Sequence, residues 1–277
     1  MNRLSHSQER ILLSLAKYKY LTVSQLVEIG IMSDKRNVSK KVKELRQLKL
    51  LQSISYGFTP KIGRVENVNY LTTKGKKLIM EGLGMEEEEI RIPIGRANLF
   101  FKDYFHRRST IDFHIHLNKW TKTNGSHLLF FDTYFDKTGN NRTGKNLRAK
   151  TRIEVGTSYV IPDVVFMIEL GDLKKELYLL EVCNGKDTLK NLKQIKKHFE
   201  AMQAGSVNQH YEFEQPYRLL CVFEYPSMMK ALMERIEKDD YFFHMKEHLF
   251  FKPIEDVHHS KLINQWQDFS GQEQTII

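Results

Sequence analysis

Cysteine is scarce: Cys183 and Cys221 are the only two in 277 residues, with no Cys-x-x-Cys spacing and no Cys/His ligand cluster along the chain. This argues against a disulfide framework and a structural zinc site, and it leads to the expectation of a reducing, cytoplasmic setting. No run of about 18 apolar residues occurs that could span a bilayer. The amino terminus, MNRLSHSQERILLSLAKYK, is too polar for a secretory signal, so no membrane partner is expected. Internal repeats and low-complexity tracts are also missing. What is present is ordinary for a folded chain, with 41% hydrophobic residues to supply a core. The 43 basic against 34 acidic residues give a formal charge of +9, which favours a polyanionic partner by raising its concentration near the surface.

Helical periodicity begins at once. Ile11, Leu12, Leu15 and Ala16 recur on one face between Ser5 and Tyr18, with Ser5 and Ser7 as caps. Thr22 caps a short second helix, and Ser33 or Asp34 a longer third. In the third helix Val38, Val42, Leu45 and Leu48 are expected to face inward, while Lys35, Arg36, Lys40, Lys41 and Lys43 lie elsewhere on its surface. Two β-prone runs around Gly57, Pro60 and Gly63 then form a hairpin carrying Lys61 and Arg64, and a helix follows from Thr73 to Glu81. Three helices, a basic hairpin and a further helix are the layout of a winged helix-turn-helix. In such a module one helix enters the major groove of DNA and the wing meets phosphate.

The expected division is residues 1–84 for this module, 85–95 for a linker, and 96–277 for a second domain. The acidic run Glu86 to Glu89 reads as solvated linker without a partner. In the second domain NLFFKDYFHRRSTIDFHIHLNKW is helical for much of its length, with its aromatics mostly packing in the core and Tyr104 the outside candidate for single-strand contact. Strands and helices then alternate, ending in the short strand HLFFKPI, which implies an α/β domain with a central mixed sheet. The intervening loop 137–150, with Lys137, Arg142, Lys145, Arg148 and Lys150, is either a solvated excursion or a clamp on a phosphate backbone.

The chemistry concentrates in IPDVVFMIELGDLKKELYLLEVCNGK, Ile161 to Lys186, two strands in a hairpin with Asp163 and Glu181 at fixed places. If the strands are neighbours, the two carboxylates repel unless a divalent cation lies between them. Mg²⁺ or Mn²⁺ prefers such oxygens and leaves positions for water and a phosphate oxygen. Carboxylates embedded in apolar strands need a charge partner. Read singly, Asp163 is a strand-end cap and Glu181 a rim residue paired with a lysine.

The segments YVIPDVVFMI and LYLLEVCNGKDTLKNLKQIKKHFE resemble the core of the replication-relaxation proteins and MobC-type plasmid relaxases. TVSQL, VKELRQLKLL and NYLTTKGKKL ahead of them keep the same order, so the resemblance spans most of the chain. It implies an overall α+β chain, a winged helix followed by a PD-(D/E)xK restriction-endonuclease-like α/β domain. It also implies a metal-dependent DNA nickase acting at a plasmid or mobile-element origin, with accessory transfer or replication proteins as further partners. By the same resemblance Asp163 and Glu181 are metal ligands, with Asp132, Asp136 or Glu154 completing the site. The chain departs from the pattern at Cys183, where a lysine belongs; Lys186 from the turn or Lys193 from the next helix would then supply the ammonium. The rival reading is an origin-binding or regulatory protein with a degenerate nuclease fold. A third reading starts from the His-x-His of His114 and His116, a pattern of tyrosine relaxases. Two such histidines share a face in a strand. In a helix they point about 200° apart and cannot hold one metal.

Overall fold

The computed structural model describes residues 4–59, 63–93, 103–139 and 147–277, in two compact units, Met1–Arg107 and Arg108–Ile277. Each helix of the first unit starts where a side chain can satisfy an otherwise unpaired amide. Helix α1 (His6–Tyr18) opens at Ser5, whose N–H donates to Gln8 Oε1 at 2.9 Å. At α2 (Val23–Glu28), Thr22 and Gln25 cap each other reciprocally, at 2.9 and 3.2 Å. Of the two caps the sequence offers for α3 (Lys35–Gln47), Asp34 is the one used, accepting from Arg36 N at 2.6 Å. Val38, Val42 and Leu45 bury one stripe of α3 as expected, but Leu48 is 45% exposed. The helix ends at Gln47, and the chain turns through Lys49 at φ 61° so that Leu50, at 3% exposure, enters the core in its place.

Four short strands follow, β1 (Leu51–Ile54), β2 (Phe58–Thr59), β3 (Gly63–Arg64) and β4 (Val68–Leu71). β1 pairs with β4 and β2 with β3, all antiparallel. Lys61, assigned to the wing, lies outside the described residues. Helix α4 (Thr73–Leu83) is capped by Thr72, whose hydroxyl accepts from Gly75 N at 3.0 Å and donates to Lys49 O at 2.8 Å. Gly75 is required by close approach: a Cβ there would collide with the Leu50 carbonyl and lie 3.2 Å from Leu71 Cδ2. Gly75→Ala is therefore expected to lower unfolding free energy by about 1–3 kcal/mol, measured by denaturant titration, because neither backbone nor packed side chain can retreat freely. The acidic run is not partnerless. Glu87 pairs with Lys76 at 2.6 Å, which holds its carboxyl below the ordinary range, Ile90 is buried, and Arg91 N donates to Ala16 O at 2.9 Å.

The second unit is built on a sheet. After α5 (Tyr104–Thr123) come β5 (His127–Thr133), β6 (Lys137–Thr138), β7 (Arg148–Ala149), β8 (Ile153–Val155), β9 (Ser158–Val160), β10 (Val164–Glu169) and β11 (Lys175–Cys183). Then follow α6 (Thr188–Gln203), α7 (Ser206–His210), β12 (Arg218–Phe223), α8 (Pro226–Glu237), β13 (Leu249–Pro253), β14 (Trp266–Gln267) and β15 (Glu273–Gln274). The seven-stranded order is β15-β14-β13-β12-β11-β10-β5, with β11, β12 and β13 mutually parallel and the other pairings antiparallel. The last two strands extend the sheet beyond the HLFFKPI strand at which the sequence pattern ends.

Parallel neighbours need a crossover, and α6 and α8 supply it. Alternation along each strand divides the core. Leu177, Leu179 and Cys183 of β11 face Ile195 and Phe199 of α6 and Leu232 and Ile236 of α8. Tyr178, Leu180 and Val182 face Phe113, Leu117 and Trp120 of α5 together with the carboxyl-terminal Trp266 and Ile276. No helix among the described residues is long and apolar enough to cross a membrane.

Candidate active site and nucleic-acid interface

The carboxylates follow from register. Val164 pairs with Leu180, so Asp163, one residue before β10, stands opposite Glu181 in β11, and Asp163 Oδ2 accepts the Val182 N–H at 2.7 Å. Both lie on the sheet face covered by α6, as the odd-numbered neighbours Val165, Leu179 and Cys183 do. From α6, His198 Nε2 meets Glu181 Oε1 at 2.5 Å and Gln194 Nε2 donates to the same oxygen at 3.4 Å. Burial, and next the charge of Asp163, push the Glu181 carboxyl above its ordinary range, while His198 and Gln194 oppose that rise.

His198 and Gln194 are the partners of Glu181 that the strand motif does not reveal. Their spacing of four on a helix places them on one face, and that signal was present in QIKKH. Lys190 continues the same face one turn earlier and is the cation whose charge reaches Cys183. Of the two lysines proposed to replace the missing one, Lys186 sits over the Tyr225 ring at 5.2 Å, and Lys193 is exposed and adjacent in sequence to Gln194, about 100° around the helix from it. Burial, followed by the charges of Glu181 and Asp163, pushes the Cys183 thiol well up, against thiolate formation.

Asp132 in β5 pairs with Val165 in the ladder, on the same sheet face as Asp163, and binds Lys150 Nζ at 2.7 Å. Asp136 folds back on its own turn, accepting from Thr133 Oγ1 at 2.7 Å. Glu154 accepts from Arg152 Nε at 2.8 Å on the β8–β9 hairpin. Asp132 and Glu154 line one cleft of about 410 Å³ with Arg148, Lys150, Arg152 and His210. Among the described residues these carboxylates do not join Asp163 and Glu181 in a three-ligand cluster. Arg142 and Lys145 lie outside the described residues; the ends of their loop, Lys137–Thr138 and Arg148–Ala149, form the β6–β7 pair.

A divalent cation is tested by the donor set. Two carboxylates facing each other across one strand pair, one with raised proton affinity, match the hard oxygen chemistry of Mg²⁺ or Mn²⁺. Asn184 Oδ1, just after β11, and Asn191 Nδ2, on α6, are buried without a hydrogen-bond partner among the described residues. The donor types fit such a cation, and Asp163 and Glu181 are the residues that would hold it.

His114 and His116 do not share a site, because α5 is helical there. His114 is buried and stacks on Phe131 at 3.8 Å between centroids. Tyr104 is buried against Tyr56 at 4.5 Å, which leaves no face for a base.

In the first unit a groove of about 1240 Å³ runs along α3, lined by Lys35, Ser39, Lys43 and Arg46 on one helical stripe and by Lys49, Arg64 and Lys74. Lys35 is paired with Glu66 at 2.5 Å and Lys41 with Glu44 at 2.9 Å. Lys43 and Arg46 are exposed and carry no ion pair among the described residues. Arg36 and Lys40 are exposed beside this stripe but do not line the groove.

Residues 12–214 match the family model described as Replication-relaxation. No curated protein and no solved structure gives a match.

Proposed function

The chain belongs to the replication-relaxation family, which associates it with plasmid replication or mobilisation, and from that premise we propose that it is an origin-specific DNA nickase. The first unit is a winged helix that selects the origin through the Lys35–Arg46 stripe of α3, and the second is a PD-(D/E)xK-like domain that cleaves one strand. The observation that carries this reading is the buried opposition of Asp163 and Glu181, with Glu181 held by His198 and Gln194. Burying two carboxylates side by side, each desolvated and repelling the other, is unfavourable for folding alone, and such an arrangement is characteristic of functional sites.

Asp163 and Glu181 would hold the cation. When bound, Mg²⁺ or Mn²⁺ supplies an activated water and offsets charge on the phosphate. The Val182 N–H orients Asp163, and His198 fixes the Glu181 rotamer. Lys190, on the same face of α6 and close enough for its charge to act on Cys183, would bring an ammonium to the scissile phosphate in the role that Cys183 cannot fill. Lys190→Ala is accordingly expected to lower the nicking rate by about 10²-fold, the scale of one well-placed electrostatic group, with Lys186→Ala much nearer wild type. A steady-state rate comparison on one supercoiled substrate decides between them.

The reaction class has its own test. Hydrolysis leaves free strand ends and no protein on the DNA, whereas tyrosine chemistry leaves a covalent adduct. End-labelled origin DNA, denatured after reaction, should therefore run free of protein; a labelled protein band would overturn the hydrolytic reading. A second reading, an origin-binding protein with a dead site, is favoured by Cys183 and by the lack of a third converging carboxylate among the described residues. It predicts tight origin binding with no strand breakage under any divalent cation, accessory proteins included.

A further inference from the structure

We propose that His116, His258 and His259 form a transition-metal site, suited to Zn²⁺, that ties α5 to the loop after β13. Residues far apart in the chain supply it, so the absence of a ligand cluster along the sequence did not carry over into space. One ligand atom from each of the three lies within 4.8 Å of the other two. The ring centroids stand 5.1 Å apart for His116–His258, 6.1 Å for His116–His259 and 4.0 Å for His258–His259. Tetrahedral zinc with Zn–N of about 2.0–2.1 Å needs nitrogens about 3.4 Å apart, so small side-chain rotations close the trio. His258 is exposed, so its side chain has room for such a rotation.

The backbone beneath the trio is fixed. Val257 and Leu262 on either side of the histidine pair are buried in the core with Phe113 and Leu117 of α5, the helix that carries His116. The fully buried Lys252 donates from Nζ to Lys261 O and Asn264 O, both at 2.7 Å, and Trp266 Nε1 donates to Leu262 O at 2.7 Å. His258 Nδ1 lies 2.9 Å from Ser260 Oγ, an outer contact that would leave Nε2 as its ligand atom. Three imidazoles without a carboxylate favour Zn²⁺, Cu²⁺ or Ni²⁺ over Mg²⁺. The fourth position would be filled by water on the solvent side. The site belongs to the sheet face covered by α5, whereas Asp163 and Glu181 belong to the face covered by α6, so the two sites take different ions independently.

The test uses the full chain, stripped with chelator and titrated with zinc chloride in excess Mg²⁺ by calorimetry, with Co²⁺ absorption as a report of tetrahedral geometry. Wild type is expected to bind one equivalent, and each of His116→Ala, His258→Ala and His259→Ala to weaken it by roughly 100-fold, at or beyond the upper end of outer-shell losses. Zinc should raise the thermal midpoint of wild type and of Asp163→Asn, but not of His258→Ala, whose exposed position leaves folding intact. A triple alanine variant that still binds the full equivalent would overturn the proposal, as would a wild type that takes up no zinc.

Discussion

Asp163→Ala and Glu181→Ala are each expected to reduce origin nicking by about 10²–10³-fold or more while leaving origin binding nearly unchanged, because the groups proposed to hold the cation and those proposed to read DNA sit in different units. Asp163 also accepts the Val182 N–H at 2.7 Å, so alanine leaves a part-buried donor unpaired at a cost of about 1–3 kcal/mol. Asp163→Asn keeps an acceptor there and separates the two effects: it should fold like wild type and still fail to nick. His198→Ala acts one step removed, by releasing the Glu181 carboxylate it meets at 2.5 Å. Its signature should be a smaller fall in rate, part of it recovered by His198→Gln or by raising Mg²⁺. Binding of labelled origin DNA and conversion of supercoiled to open-circular plasmid, measured on the same preparations, read both effects.

The second large effect belongs to α3. Replacing Lys43 and Arg46 together by alanine should weaken origin binding by about 10-fold or more and reduce the slope of log affinity against log salt by about 2, one unit for each phosphate that is no longer neutralised. Both are exposed, so stability should stay within about 0.5 kcal/mol of wild type. Lys41→Ala is the internal comparison. Lys41 is engaged with Glu44 at 2.9 Å, and Glu44 also accepts from Gln8 of α1 at 3.0 Å, so its loss should change the salt slope little. Equal effects from Lys41 and Lys43 would mean that the whole basic surface acts as an unspecific field.

Legibility from sequence followed the range of the forces involved. Caps act within a turn, and Ser5, Thr22 and Asp34 announced α1, α2 and α3 from three or four letters each. The near-continuous apolar runs of VVFMIE and KELYLLEVC, buried on both faces and paired across a short hairpin, put Asp163 opposite Glu181 as the strand reading required. Longer-range facts were not written locally. Leu48 continues the helical stripe of Val38, Val42 and Leu45 in sequence, but the turn at Lys49 hands its place to Leu50. Strands β14 and β15 have two residues each, too short to show any period, and depend on β13 being there to pair with. His198 was a residue in a helical pattern until the crossover after β11 laid α6 over the carboxylates. The histidine trio arose in the same way, by α5 and the loop after β13 packing on one sheet face.

The central claim is that this chain hydrolyses one DNA strand with a cation held by Asp163 and Glu181. The most direct measurement incubates purified wild type and Asp163→Asn in parallel with supercoiled plasmid carrying the native origin and the accessory proteins. Each is run with Mg²⁺, with Mn²⁺ and with chelator, and open-circular product is followed over time. The account predicts product from wild type with either cation, none with chelator, and none from Asp163→Asn under any condition. Nicking by Asp163→Asn at the wild-type rate, or no nicking by wild type with any divalent cation while origin binding persists, would contradict it.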